Sequence, residues 1–307
     1  MKKIRFAYLA LIFLSIAILV ACNSNSNTLE EGNNEANNQN NESEVNEERY
    51  ETVSQYDKLI EKAEKELSHN DLEKARDYYE EAMEYEEAEA DNIAVKIENL
   101  EAFIPLAEEA LYDYLLDDNG RDYQVLIHAE DYSHTVGSFE DGTVWACSGE
   151  GDNVYEGDFS IFTRERTETK FTEHYLGDIQ LNDDRDAIQT TAYDNGQLLV
   201  VSQCMSSNGT ELSLFRIHGD EMEEVMFESN GTSHETALVT YNQMKDYQPE
   251  NNRFQTITYF NVDGSYSVDT YIYQPDHNKM VLAERNSYQS IDDEIDQWLN
   301  DESYYIP

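Results

Sequence analysis

The first pattern along the chain is an apolar run close to its start. Residues 6–21 are almost wholly apolar, and the basic residues Lys2, Lys3 and Arg5 precede them. A basic start, a short apolar run and small residues at its end are typical of a secretory signal peptide, whereas a bilayer span needs about 20 apolar residues. We therefore predict a signal peptide over residues 1–21.

Polar residues then dominate up to residue 48. Asn, Ser and Glu fill residues 23–48 almost completely, and neither Lys nor Arg occurs there. A segment with so little apolar surface cannot offset the entropy that it would lose on folding. The pattern predicts that residues 22–48 form a disordered, acidic, Asn-rich tether.

Apolar residues recur at helical spacing over residues 49–118, a region without Gly. Leu59 and Leu67 lie on one face of a first helix, and the turn at residues 68–71 offers N-cap side chains for a second. A third helix has a heptad-like seam over residues 93–115, of the kind found in coiled coils. We predict a helical hairpin or bundle over residues 49–118.

Short runs of β-branched and aromatic residues follow, separated by turn dipeptides such as Asn195-Gly196 and Asp263-Gly264. Strands are expected at residues 123–128, 143–147, 159–163, 198–204, 212–218, 224–228, 254–261, 267–273 and 280–284. We predict an antiparallel β domain over residues 119–290, built as a meander, a sandwich or an open barrel. A terminal helix and tail complete the chain at residues 291–307, so the predicted fold class is α+β.

The charge of the chain limits its partners. Among 307 residues, 65 are Asp or Glu and 20 are Lys or Arg, which gives a formal net charge of −45. Because a nucleic-acid backbone recruits basic residues, the sequence predicts no nucleic-acid partner. The acidic residues are spread over the chain rather than gathered in one tail, and we interpret this as halophilic or alkaliphilic adaptation.

A second signal lies at the end of the predicted signal peptide. The sequence Leu19-Val20-Ala21-Cys22 resembles the lipobox of bacterial lipoproteins. The resemblance implies that the signal peptide is cut before Cys22 and that the Cys22 thiol carries palmitate-type acyl chains through a diacylglycerol. Two acyl chains are enough for stable anchoring. The implied location is the extracytoplasmic face of the cell membrane, with the membrane as a partner.

Residues 70–84 resemble the second half of a tetratricopeptide repeat. Ala75 and Ala82 match its small positions and Tyr79 its large one, but Glu87 stands where the pattern has proline. Only one such unit is visible, whereas a stack needs about three to bury a continuous core. The resemblance implies a tetratricopeptide-like hairpin with a protein or peptide partner, and a plain helical bundle or coiled coil is the alternative.

The motifs of catalysis and metal binding are incomplete. His234-Glu235 begins like a zinc-protease helix, but Leu238 takes the place of the second histidine. A calcium loop at residues 263–269 would need a glycine where Val268 stands. The sequence therefore assigns no catalytic, cofactor-binding or metal-binding residue, and it leaves enzymatic activity uncertain.

Two cysteines, Cys147 and Cys204, lie outside the lipobox, and both are in strand-like sequence. Disulfides form in oxidising compartments, which include the exterior of the cell. A disulfide between these two residues and a pair of buried, unreactive thiols are the two alternatives.

Together these features favour a lipid-anchored extracytoplasmic protein that acts as a protein- or ligand-interaction module at the cell surface. Two alternatives stay open. One is an extracytoplasmic hydrolase or carbohydrate-active enzyme, for which two carboxylates about 5 to 9.5 Å apart would be expected in a cleft. The other is a lipoprotein that binds a solute or a metal, or that senses the state of the envelope.

Overall fold

The computed structural model describes residues 41–85, 90–144, 148–206, 209–240, 244–248, 251–301 and 304–307. The chain divides into two compact units, Met1–Glu48 and Arg49–Pro307. The predicted signal peptide, Cys22 and the first part of the predicted tether lie outside the described residues. Within the described part of the chain, no helix is both long and apolar enough to span a membrane.

Three helices come first: α1 Asn41–Ser68, α2 Leu72–Ala82 and α3 Ala90–Glu109. The N-cap of α2 is as expected, because the Asp71 side chain accepts a hydrogen bond from the Lys74 amide at 3.3 Å. The prediction of a disordered tether up to residue 48 is wrong for residues 41–48, which belong to α1. Four of these eight residues are Glu and none is Gly or Pro, so nothing in the stretch prevents the helix from extending into it.

The third helix is shorter than the sequence pattern suggested. It ends at Glu109 rather than at residue 118, and residues Tyr112–Asp118 form a strand instead. Leu111 and Tyr114 fitted the heptad seam, but Tyr112, Tyr114 and Leu116 also fit the alternating positions of a strand. Pairing with the next strand across the turn at Asn119 decides in favour of the strand, so the β region begins at residue 112.

Sixteen strands follow the helices in the described residues, and a fourth helix, α4 Asp292–Asn300, follows the strands. The strands are β1 Tyr112–Asp118, β2 Arg121–His128, β3 Tyr132–Val136, β4 Asn153–Glu165, β5 Phe171–Asn182, β6 Ile188–Tyr193, β7 Gly196–Ser206, β8 Gly209–His218, β9 Glu221–Glu224, β10 Met226–Ser229, β11 Thr232–His234, β12 Thr236–Val239, β13 Lys245–Gln248, β14 Arg253–Phe260, β15 Ser265–Gln274 and β16 Lys279–Tyr288.

The larger sheet, sheet A, has ten strands. Its path is β12-β8-β7-β1-β2-β4-β3, with β5 beside β4, β6 beside β7 and β9 beside β8. All of its pairs are antiparallel. The sheet curls into a half-barrel, so that β5 contacts β7 and β9 across its inner face. Leu116, Phe159 and Leu199 are among the fully buried residues of that face.

The smaller sheet, sheet B, has six strands in the order β11-β10-β16-β15-β14-β13. Its strands are antiparallel except for β10, which runs parallel to β16. The predicted α+β class with a mostly antiparallel β region is therefore confirmed. The terminal helix expected at residues 291–299 is also confirmed as α4.

The strand predicted at residues 143–147 is wrong for residues 143 and 144. Thr143 and Val144 lie in a loop, and residues 145–147 are outside the described part of the chain. The Thr143 hydroxyl accepts a hydrogen bond from the Ser138 amide at 2.7 Å, which fixes the loop. A β-branched side chain that bonds to nearby backbone in this way stabilises a turn rather than a strand.

Both sheets have packing partners on their faces. The helices cover the outer face of β2 and β4, where Leu126 and Phe162 join the helical core. Sheet B packs on the outer face of β7 and β8. Helix α4 covers the opposite face of sheet B and buries Trp298 completely. These contacts leave one part of the face between the two sheets open.

Candidate functional site

The face that sheet B turns toward sheet A has two halves. At one end Phe254, Tyr273 and Met280 are buried against Leu198 and Leu214 of sheet A. At the other end polar side chains occupy the same face and sheet A does not cover it. This open half is a groove of about 390 Å³, a volume within the usual range for small-molecule sites.

We call this cavity the inter-sheet groove. Strand β12 of sheet A forms one wall, and β10, β11 and β14–β16 of sheet B form the rest. The residues that line it are Phe227, Ser229, His234, Thr236, Ala237, Leu238, Thr258, Phe260, Ser267, Asp269, Tyr271, Arg285 and Ser287.

An ion pair lies on the floor of the groove. Arg285 donates from Nε to Asp269 Oδ1 at 2.8 Å and from Nη2 to Asp269 Oδ2 at 2.6 Å. Asp269 is only 6% exposed and accepts two further hydrogen bonds, from Ser267 Oγ at 2.8 Å and Tyr271 OH at 3.5 Å. The buried carboxylate therefore has four donors, which is what a buried charge needs to be tolerated.

The register of two neighbouring strands creates this pair. Asp269 of β15 and Arg285 of β16 are directly opposite each other, and the register shifts by one residue between Thr270 and Tyr271. A β-bulge of this kind re-aims side chains on the bulged strand. Here the shift places the guanidinium over the carboxylate on the groove face.

Burial and charge act together on the ionisable groups of the floor. Desolvation and the neighbouring Asp269 carboxylate raise the pKa of Tyr271 to about 12, although Arg285 opposes the shift. The hydrogen bonds to Asp269 raise the pKa of Arg285 above its usual range. At neutral pH the floor therefore presents a fixed guanidinium and a neutral phenol.

The rim of the groove is apolar and accessible. Leu238 is 56% exposed and Phe260 is 46% exposed, although both belong to strands with buried neighbours. The Thr258 hydroxyl donates to the Leu238 carbonyl at 2.9 Å and so joins the two walls at this point. These side chains give the polar floor an apolar edge, and ligand pockets commonly combine apolar and polar lining groups.

A wider hollow of about 600 Å³ lies where two hairpin turns meet, lined by Asp117, Asn119, Gly120, Tyr193, Asp194, Asn195, Gly196 and Gln197. Its polar groups bond to one another. The Asn119 amide donates to the Asn195 carbonyl at 2.9 Å, and the Asp117 amide donates to Gln197 Oε1 at 3.0 Å. It also lacks an apolar wall, so we consider the inter-sheet groove the better candidate.

The cysteines named from the sequence have different outcomes. Cys204 is disulfide-bonded, while Cys147 lies outside the described residues, so their pairing stays a prediction. Cys22 is also outside them, and its lipidation is untested.

The calcium hypothesis at residues 263–269 is not supported by the bonding of its carboxylates. Asp263 accepts hydrogen bonds from Ser265 in the β14–β15 turn, whereas Asp269 lies on the groove floor with Arg285. Among the described residues, no group of three or more His, Cys, Asp or Glu side chains is placed to hold a metal ion. The sequence pattern thus drew attention to Asp269 as a calcium ligand, whereas in the structure Asp269 forms an ion pair with Arg285.

Sequence reasoning missed Arg285 altogether. His234 and Leu238, which drew attention as parts of an incomplete zinc motif, both line the groove. An Asp in the middle of a strand, between Val268 and Thr270, was an available signal because strand interiors are poor in Asp.

No family model, no curated protein and no solved structure matches this chain. Its function has to be inferred from the groove and from the sequence signals described above.

Proposed function

We propose that this protein is a lipid-anchored, extracytoplasmic binding protein and that the inter-sheet groove is its ligand site. The observation that carries the proposal is the ion pair between the buried Asp269 and the half-exposed Arg285, which lies on an open floor between the exposed side chains of Leu238 and Phe260. Asp269 is buried and holds Arg285 in place, while half of the Arg285 side chain stays accessible from the groove.

The same floor gives the hydrolase alternative little support. A glycosidase of the usual type needs two carboxylates in one cleft. Asp269 is the one carboxylate among the described residues that line the groove, and its oxygens already accept four hydrogen bonds. The floor is thus suited to hold a ligand rather than to transfer a proton to it.

The helical region supports a scaffold role better than a partner-binding role. Ala75, Tyr79 and Ala82 are buried, which both a tetratricopeptide-like hairpin and a plain helical bundle require. Their core, however, continues into Leu126 and Phe162 of sheet A. In the proposed function the helices connect the anchor to the β region, and a protein or peptide partner of the helices is the weaker hypothesis.

The groove can be tested with a side chain that fills it. Ser287 lies in the groove lining and is exposed, whereas Ser233 is exposed on β11 of the same sheet but outside the lining. Full-length chain is dialysed against a small-molecule extract of the producing cells and their medium, and retained compounds are identified by mass spectrometry. The wild type and Ser233→Trp should retain a compound that Ser287→Trp loses. The proposed site would be refuted if all three proteins retained the same compounds. It would also be refuted if none of them retained any compound.

The anchor has a separate test. Because the proposed acyl chains are attached to the Cys22 thiol, Cys22→Ser should abolish incorporation of labelled palmitate and move the protein from the membrane fraction to the soluble fraction. Cys204→Ser, made in the same background, should keep the label. Labelling that survives Cys22→Ser would contradict the anchor.

A further inference from the structure

We infer that the ligand of the inter-sheet groove is a small monocarboxylate with an apolar or aromatic group: its carboxylate binds Arg285 and its apolar group lies on Leu238 and Phe260. This inference rests on the proposed function and specifies the chemistry that the groove selects.

The guanidinium of Arg285 supplies the first argument. Asp269 occupies the edge formed by Nε and Nη2, at 2.8 and 2.6 Å. The fork of a guanidinium has a second edge, formed by Nη1 and the other N–H of Nη2, which points away from that carboxylate. Arg285 also interacts with the Tyr271 hydroxyl, but its side chain is 51% exposed, so a ligand in the groove can reach the guanidinium from the side away from Asp269. A planar carboxylate matches two parallel N–H donors, which a single hydroxyl does not.

Rigidity supplies the second argument. A free arginine on a surface loses side-chain entropy when it binds an anion, which reduces the net gain. Asp269 is held by Ser267 and Tyr271, and it in turn holds Arg285 in one orientation. The cost of ordering is therefore met during folding, and the second edge is pre-organised for a ligand.

The charge of the chain explains why a monoanion is preferred. With a formal net charge of −45, the surface repels anions, and a phosphate with up to two negative charges is repelled more strongly than a carboxylate. In 1 M salt the screening length falls to about 3 Å, which removes the long-range repulsion but not a direct bidentate contact. Binding should therefore be measured in 1 M NaCl.

The apolar rim supplies the specificity of the other end of the ligand. Leu238 of the edge strand β12 and Phe260 of β14 border the groove, and the buried Phe227 and Ala237 are also part of its lining. Removing such side chains from water stabilises a complex, so a ligand that covers them should bind more tightly than one that does not. Short carboxylates such as acetate, which cannot reach this wall, should bind poorly.

The experiment compares isosteric acids and amides. Full-length wild type is titrated in 1 M NaCl with 4-phenylbutyrate, hexanoate and acetate, and with the amides of the first two, by isothermal titration calorimetry. We expect 4-phenylbutyrate and hexanoate to bind at least tenfold more tightly than their amides, and acetate to show no measurable binding. Leu238→Ser should weaken the acid and the amide alike.

Arginine variants identify the group that recognises the acid. Arg285→Lys keeps the charge beside Asp269 but lacks the second edge, so it should reduce the preference for acid over amide to less than threefold. Arg285→Gln should abolish the preference if the protein folds. Arg166→Gln, at an arginine outside the groove lining that pairs with Asp122, should leave the preference unchanged.

The outcomes separate this inference from the proposed function. Equal affinity for acids and amides, with both lost in Ser287→Trp, would overturn the carboxylate inference and keep the groove. Failure of every probe to bind, while Ser287→Trp still loses a compound retained from the extract, would overturn it in the same way. If neither probes nor extract compounds bind, both proposals are wrong.

Discussion

At the scale of the residue, Arg164 is a buried cation that needs many hydrogen-bond acceptors. It is 1% exposed and has no carboxylate partner within 4 Å among the described residues. It donates to Asn70 Oδ1 at 2.6 Å, Gln124 Oε1 at 3.0 Å and the Glu168 carbonyl at 2.8 Å, and its guanidinium lies 5.2 Å from the Phe103 ring centroid. Burial lowers the pKa of Arg164 to about 10, so it stays charged at neutral pH. Arg164 thus joins the α1–α2 turn, α3 and sheet A.

Removing this side chain should be costly. Arg164→Met leaves the buried Gln124 acceptor without this donor and removes the bonds to the exposed Asn70 and Glu168. An unsatisfied buried group costs roughly 1 to 3 kcal/mol, so we expect a loss of about 2 kcal/mol in the free energy of unfolding. Urea denaturation monitored by circular dichroism measures it. Arg166→Met, two residues away and partly exposed, should cost less than about 1 kcal/mol. Equal losses of unfolding free energy in the two variants would show that Arg164 does not join the helices to sheet A.

His174 makes part of the stability depend on pH. Burial lowers the pKa of His174 below its usual range, and a hydrogen bond with the Met222 backbone only partly opposes this. As the pH falls below about 6.5, the unfolded chain takes up a proton that the folded chain refuses, so stability is lost as the pH falls from about 7 toward the folded pKa.

His174→Phe, which keeps an aromatic ring beside Phe215, should therefore lose less melting temperature between pH 7 and pH 5.5 than the wild type does. His277→Gln, at an exposed turn, is the matched control and should behave as the wild type. Parallel profiles for the wild type and His174→Phe would exclude this role for His174.

At the scale of the element, the C-terminal segment is held as a bound peptide would be. Gln255 of β14 is 1% exposed and bonds both backbone groups of Ile306, donating from Nε2 to the carbonyl at 2.8 Å and accepting from the amide at 3.0 Å. The Ile306 side chain is buried beside Trp298 of α4. This side-chain-to-backbone pair therefore closes the core on the outer face of sheet B.

Gln255→Ala should release the segment. Two buried hydrogen bonds are lost, which we expect to cost about 2 kcal/mol, and water should reach Trp298. Because the chain contains two Trp, the fluorescence is measured in a Trp145→Phe background, where emission should shift to longer wavelength. Gln274→Ala, at an exposed position of β15, should leave the emission in place. An unshifted spectrum in Gln255→Ala would show that the segment does not depend on this pair.

The strands and turns also show how much of the fold could be predicted from the sequence. Turn dipeptides such as Asn195-Gly196 and Asp263-Gly264 indicated antiparallel hairpins, because the backbone conformations that such turns require are a local property. Strand β1 was missed because alternation and helical spacing overlap over so few residues. Which strands meet across the two sheets depends on long-range packing, which no local pattern contains.

The ion pair on the groove floor could not be predicted from the sequence, and the reason is the register of its two strands. Without the bulge, the register of the β15–β16 hairpin near its turn, where Tyr273 faces Met280, would extend to place Asp269 opposite Glu284 rather than Arg285. Two like charges would then face each other, which is destabilising. The ion pair exists because the register shifts by one residue, and bulges are set by the packing of the whole sheet.

At the scale of the whole molecule, the interpretation of the acidic excess as an adaptation to salt predicts how the stability of the protein depends on salt concentration. The formal net charge of −45 acts against compaction through self-repulsion. The described ion pairs are mostly exposed, as in Arg121 with Asp220 and Arg285 at the groove, so they offset little of this repulsion. Salt should therefore stabilise the folded protein, because screening shortens the range of the repulsion from about 10 Å at 0.1 M to about 3 Å at 1 M.

The melting temperature at neutral pH should rise as the NaCl concentration increases from 0.1 to 1 M. A double variant that combines Glu81→Gln with Glu84→Gln should show a smaller rise. These two exposed acids lie near the end of α2, where negative charge opposes the helix dipole and repels its neighbours. Glutamine is close in size to glutamate, so the packing of α2 should be unchanged.

Sucrose serves as the control for this salt dependence. It stabilises folded proteins by exclusion from their surface and does not screen charge, so the wild type and the double variant should respond to it equally. A larger response of the wild type to NaCl alone would assign the difference to charge screening. A melting temperature that stays flat or falls with NaCl would refute the interpretation of the acidic surface as an adaptation to salt.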